Sequence, residues 1–231
     1  MKIAVMNFSG NVGKSTVARH LLAPRIDGAQ VIAVETINSD GSDDEAYKGR
    51  QFGELQEELL LLDAAVVDVG ASNVEAFLAA MSQYRNAHED FDFFVVPTVP
   101  KAKQLRDTIS TIEALSDLGV PAKKIRLVFN QVEVDETVER LFAPLVEYQA
   151  QKKNFTLRPD AVMHVNDIYA RLNHGSEGIR EVLNDQTDYK EKIKSAANAE
   201  EKLHFAQLLS VKRLAAGVDE ELNAVFKTLL K

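Results

Sequence analysis

Residues 3–16 read IAVMNFSGNVGKST: an apolar run, a turn of small residues, then Gly-Lys-Ser-Thr. A strand that passes through such a turn straight into a helix lines up consecutive backbone N–H groups, the arrangement that wraps phosphate oxygens. Bulk is excluded where backbone must approach the anion, and Gly10 and Gly13 supply the unhindered positions. Asn11 and Val12 complete the backbone cradle. Lys14 is placed to bring its ammonium to the outer phosphates, Ser15 to offer its hydroxyl to Mg²⁺, and Thr16 to touch the α-phosphate. The helix that follows, Ser15–Leu22, turns its positive N-terminus toward the same anion. The pattern departs from GxxxxGK[ST] in having Phe8 at the first glycine. A plain β–α turn capped by Ser15 is the alternative reading.

Downstream, short apolar runs alternate with helical patterns, which predicts βαβ units and a parallel sheet. Strands fit at Lys2–Met6, Gln30–Glu35, Ala64–Val69, Phe91–Pro97, Ile125–Asn130 and Ala161–Val165. They are continuous Val/Ile/Phe-rich runs, as strands covered on both faces require. Helices fit at Arg50–Leu62, Asn73–Tyr84, Lys103–Leu118, Glu136–Gln151 and Asp167–Leu183, with Gly119-Val120-Pro121 a stop. Ser72-Asn73-Val74-Glu75 reads as a capping box that starts the helix after the third strand. From Asp185 the pattern is helical and rich in Lys, Glu and Ala. The expected architecture is a doubly wound α/β domain with a mainly parallel sheet over 1–231, residues 185–231 being a helical extension packed on it.

Composition narrows the function classes. The 231 residues carry a net charge of −8, so any DNA contact needs a local basic patch and is expected to be weak or indirect. Lys190, Lys192, Lys194, Lys202, Lys212 and Arg213 are the candidates, but interleaved acids make a solvated helix face the simpler reading. With no cysteine there is no disulfide frame or thiolate metal site, and a reducing, cytoplasmic setting is expected. No apolar run approaches the roughly 18 residues of a spanning helix. Val218, Leu222, Val225, Phe226 and Leu229 share one helical face. Asp219, Glu220 and Glu221 beside them favour core packing over a membrane tail. His20, His88, His164, His174 and His204 have no metal-ligand spacing.

Two further positions belong to the phosphate site on this reading. Asp68 follows the buried run Ala64–Val67, where P-loop proteins place the carboxylate that holds Mg²⁺ through water. Gly70 is placed to offer its N–H to the γ-phosphate and to let the loop move. Ser72 reads as a cap, and Asn166 and Asp167 as an N-cap pair for the helix carrying Tyr169 and Leu172.

SGNVGKST resembles the deviant Walker A loop, KGGxGK[ST], of the ParA/MinD-type ATPases. AAVVDVGAS looks like that family's second switch, and FFVVPTVP and RLVFNQVE like its later landmarks. Within the family the pattern looks most like the plasmid-encoded StbB/TraL-type proteins of plasmid stability and conjugative transfer. The resemblance implies ATP and Mg²⁺ as cofactors, a homodimer, a plasmid-encoded partner protein, and slow ATP hydrolysis in isolation. It also implies that Asn130 reads the adenine edge, with a turn asparagine as the alternative. Two positions depart from the family. Ser9 stands at the signature lysine, which reaches across the dimer, and Ile37 at the aspartate that orients the attacking water. Glu35 or Asp40 is left to take over that role. A nucleotide-binding module without hydrolysis and a small-molecule ligase or kinase on a similar fold are the rival readings.

Overall fold

The computed structural model describes residues 1–34, 45–172 and 178–231, and of 45–50 only the backbone. Glu35, Ile37 and Asp40 lie outside the described residues. Six parallel strands form one sheet: β1 (Lys2–Val5), β2 (Gln30–Val34), β3 (Ala65–Val69), β4 (Phe93–Thr98), β5 (Ile125–Val132) and β6 (Val162–His164). Their order is β2-β3-β1-β4-β5-β6, every neighbouring pair parallel. The strand order reverses about β1, so the loop leaving β1 occupies the crevice where α/β sheets bind ligands.

Ile3, Ala4, Val5 and Met6 are all fully buried, so β1 is covered on both faces, as its unbroken apolar run requires. Ala4, Met6, Val67, Phe94, Val96, Leu127 and Phe129 join one core cluster with Phe77, Ile112, Leu115 and Phe142 from the helices.

The helices mostly fall where periodicity puts them. The first, α1 (Lys14–Thr16), continues in wider π geometry at Val17–Leu22 and closes as a 3-10 turn at Ala23–Arg25, beside Pro24. α2 (Glu45–Leu61), α3 (Val74–Gln83) and α4 (Ala102–Asp117) cover the middle of the chain. The helix expected over Glu136–Gln151 is two, α5 (Val138–Leu141) and α6 (Ala143–Lys152), because Pro144 sits in the first turn of the second. The one expected over Asp167–Leu183 is likewise described as α7 (Ile168–Leu172) and α8 (Ile179–Asn184). Then come α9 (Tyr189–Ser195), capped by Asp188, and the long α10 (Ala199–Leu229).

The chain divides into two compact units, Met1–Val165 with Val225–Lys231, and Asn166–Ala224. In the second, Lys212 donates to the Asp185 carbonyl and lies 5.9 Å from the Tyr189 ring, so it is not free for DNA. Val218, Leu222, Val225 and Leu229 are buried, as core packing of that helical face requires. No helix among the described residues is long and apolar enough to cross a membrane.

Candidate phosphate-binding site

The loop from Asn7 to Gly13 is shaped by two left-handed residues. Asn11 has φ +57° and Gly13 φ +87°, conformations that asparagine tolerates and glycine adopts freely. Such turns direct successive N–H groups to one side as an anion nest. Gly13 is required twice over. A Cβ there would lie 2.2 Å from the Asn130 amide nitrogen, besides the cost of the left-handed backbone. Gly10 differs: a Cβ there meets nothing within 4 Å among the described residues, so none of them demands glycine at that position. Only the approach of a ligand would.

Side chains from distant elements hold the loop. Asn7, fully buried, donates through Nδ2 to the Pro97 carbonyl and to Thr108 Oγ1, both at 2.9 Å. Its Oδ1 accepts the Ser9 N–H at 2.8 Å. Thr108 also donates to Thr98 Oγ1 at 2.9 Å, and Thr111 Oγ1 accepts the Phe8 N–H at 3.1 Å. On the far side of the loop, Asn130 Nδ2 donates to the Val12 carbonyl at 3.0 Å, and its Oδ1 accepts the Gln131 N–H at 2.9 Å. Gln131 is left-handed at φ +57°, where β5 shifts register against β6. The irregularity turns Asn130 onto the loop. Asn130 therefore holds the loop through one of its two amide N–H groups.

Lys14 is buried, 9% exposed, and its ammonium donates to the Ser9 carbonyl at 2.8 Å and the Asn7 carbonyl at 3.3 Å. Burial holds its proton affinity below the ordinary lysine value, and the negative charge of Asp68 opposes that shift. Asp68, 5% exposed, stands beside Val5 in the β1–β3 register. Ser15 is exposed and Thr16 half-buried. Asp68 lies near enough to Lys14 for its charge to act on the ammonium, and Ser15 follows Lys14 in the first turn of α1. A buried ammonium, an accessible hydroxyl and a buried carboxylate fit a Mg-nucleotide. Lys14 would hold phosphate, and Ser15 and Asp68 would hold the metal, which supplies neutralisation of phosphate charge.

Gly70 does not stand ready for phosphate. Its N–H donates to the Val34 carbonyl at 3.0 Å, and the same oxygen accepts Asn73 Nδ2 at 3.1 Å. The expected capping box is likewise not what begins α3. The N-cap position falls on Asn73, whose side chain goes to Val34 instead of the helix N–H groups. Asn166 does cap, its Oδ1 accepting the Ile168 N–H at 3.0 Å. No three His, Asp or Glu among the described residues converge as a metal site.

No family model and no curated protein matches the chain. Solved structures do. The MinD cell division protein of Aquifex aeolicus superposes with a TM-score of 0.53 at 14% identity, over 93% of this chain and 97% of that one. The chain shares the fold of that MinD protein. A putative plasmid partition protein of Borrelia burgdorferi bound to AMPPNP gives a TM-score of 0.46 at 14% identity, over 91% of this chain and 98% of that one. Asn7, Thr98, Thr108 and Thr111, which fix the loop, are given no role by the sequence motifs. The available signal was polar residues at core positions: Thr108 and Thr111 share the buried face of α4 with Leu105, Ile112 and Leu115.

Proposed function

We propose that the chain binds ATP with Mg²⁺ at the Asn7–Thr16 loop and works as a nucleotide-dependent switch ATPase. Its setting is plasmid maintenance or conjugative DNA transfer, as a homodimer acting with a plasmid-encoded partner protein. The observation that carries the nucleotide reading is Lys14. An ammonium is kept in a desolvated pocket of loop carbonyls, with Asp68 as the charge that opposes the shift. A charge so placed is costly to the fold and is accounted for by a phosphate that takes over from the carbonyls. The MinD-like fold supports the switch reading, and the StbB/TraL-like sequence pattern supports the plasmid setting.

Turnover by the isolated protein should be slow. Ser9 is 1% exposed at the position of the signature lysine, and a short buried hydroxyl offers no cationic arm to a second subunit. A missing cation of this kind costs about 10³–10⁵ in rate, which a partner can restore in trans. ATP binding measured by calorimetry on Lys14→Ala tests the site, with an expected loss of roughly ten- to a hundredfold in affinity. Unchanged affinity in the folded variant removes Lys14 from the site. Phosphate release at about 1 s⁻¹ or faster without any partner, an ordinary rate for free enzymes, would contradict the slow switch.

A further inference from the structure

A second polar feature lies on β5, about 13 Å of strand before Asn130. Ile125, Leu127 and Phe129 enter the core cluster, so Arg126 shares the opposite face with Val128 and Asn130. Arg126 is 6% exposed, and its Nε and Nη1 are buried with no hydrogen-bond partner among the described residues. The Phe93 ring, 5.3 Å from Cζ, offsets part of that desolvation.

The charge that acts on Arg126 has the same sign. Arg158 is brought alongside by the parallel bridge Arg126–Thr156 and the bond from the Thr156 N–H to the Ile125 carbonyl at 3.0 Å. Arg158 is half-buried, and its Nε too is buried without a partner. Burial first, then Arg158, lowers the proton affinity of Arg126, and no carboxylate among the described residues counters either. Buried charges are ordinarily paired, so two neighbouring arginines with buried, unpartnered N–H groups and no acid among the described residues call for an anion from outside.

We propose that Arg126 and Arg158 form a binding site for a small phosphate-class oxyanion, separate from the Lys14 loop. Two planar guanidinium forks suit a tetrahedral oxyanion by side-on, paired N–H contacts. Half-exposed Arg158 is the entry side. The ligand is inorganic phosphate or the phosphate group of a small monoester. The site does not rest on the nucleotide reading of the loop.

The test uses the full chain carrying Lys14→Ala, which silences the other phosphate site. Thermal unfolding is followed in inorganic phosphate, in phenyl phosphate, and in chloride at equal ionic strength. Phosphate at ten times its dissociation constant should raise Tm by roughly 3–6 °C over chloride. Adding Arg126→Met should abolish the rise, and Arg158→Met should weaken phosphate at least about tenfold. A larger rise with phenyl phosphate identifies an esterified ligand, and a larger one with inorganic phosphate the free ion. In phosphate-free buffer Arg126→Met should be at least as stable as its parent. No rise over chloride, a rise untouched by both arginine replacements, or a clear loss of stability in phosphate-free Arg126→Met would each overturn the proposal.

Discussion

The two flanks of the phosphate loop are held by different means. On the β4–β5 side, Asn7, Thr98, Thr108, Thr111 and Asn130 tie the loop with buried side-chain bonds. These bonds reach α4 and β5, over 100 residues along the chain. On the β2–β3 side, the Gly70 N–H and Asn73 Nδ2 share one acceptor, the Val34 carbonyl. The first flank has several independent anchors in a dry setting, where leaving a donor unpaired costs about 1–3 kcal/mol. The second releases two groups at once if one backbone oxygen moves.

The largest expected effect is on the rigid flank. Asn7→Ala leaves the Ser9 N–H without its partner and removes two donors from Pro97 and Thr108, so it should cost roughly 3 kcal/mol of stability. Chemical denaturation measures this, and a cost under about 0.5 kcal/mol, the range of ordinary surface substitutions, would dissolve the contrast between the flanks. Next in size, Asp68→Asn should weaken ATP binding about tenfold with Mg²⁺, a loss of ~1.4 kcal/mol, and leave metal-free binding nearly unchanged. Equal losses with and without the metal would make Asp68 a structural residue. On the loose flank, Asn73→Ala should cost no more than about 1 kcal/mol, since its amide is only half-buried and shares its acceptor. A cost matching that of Asn7→Ala would show the Val34 anchor to be as firm as the other side.

A last test turns on sign. The Lys14 pKa lies below the ordinary 10.5 because of burial, against the pull of Asp68. Between the folded pKa and 10.5 the unfolded chain binds more protons, so stability rises with pH across that window. Below the folded pKa the penalty is at its full size. Lys14→Met should remove that rise and leave the nucleotide-free protein at least as stable at neutral pH. Denaturation midpoints against pH for both proteins check it, and a wild-type profile that falls through the same window would reverse the sign.

Local patterns carried the strand–loop–helix of the phosphate site into the structure intact. An apolar run, two glycines and a lysine constrain one another within a dozen residues. The six strands were legible for a similar reason, since buried parallel strands are continuous apolar runs. Long-range partners of single polar side chains were not legible. Asn73 bonds to Val34, thirty-nine residues away, and Asn130 to Val12, one hundred and eighteen away. Nothing adjacent to either residue encodes those partners. The sequence around Asn7 does not encode its partner Thr108, which lies 101 residues further on. Pro144 could have divided the fifth long helical pattern on sequence alone, but its place in a helical first turn hid the break.

The parallel order around β1 also governs when the site can exist. β1 is made first, yet its neighbours are β3 and β4, and its loop is closed by Thr108, Thr111 and Asn130. β1 must wait until the chain through Asn130 has been synthesised. At translation speeds of about 5–20 residues per second, that wait is on the order of ten seconds. Through that interval an apolar, β-prone segment is without its partners, and emerging chains need shielding there before the cradle closes.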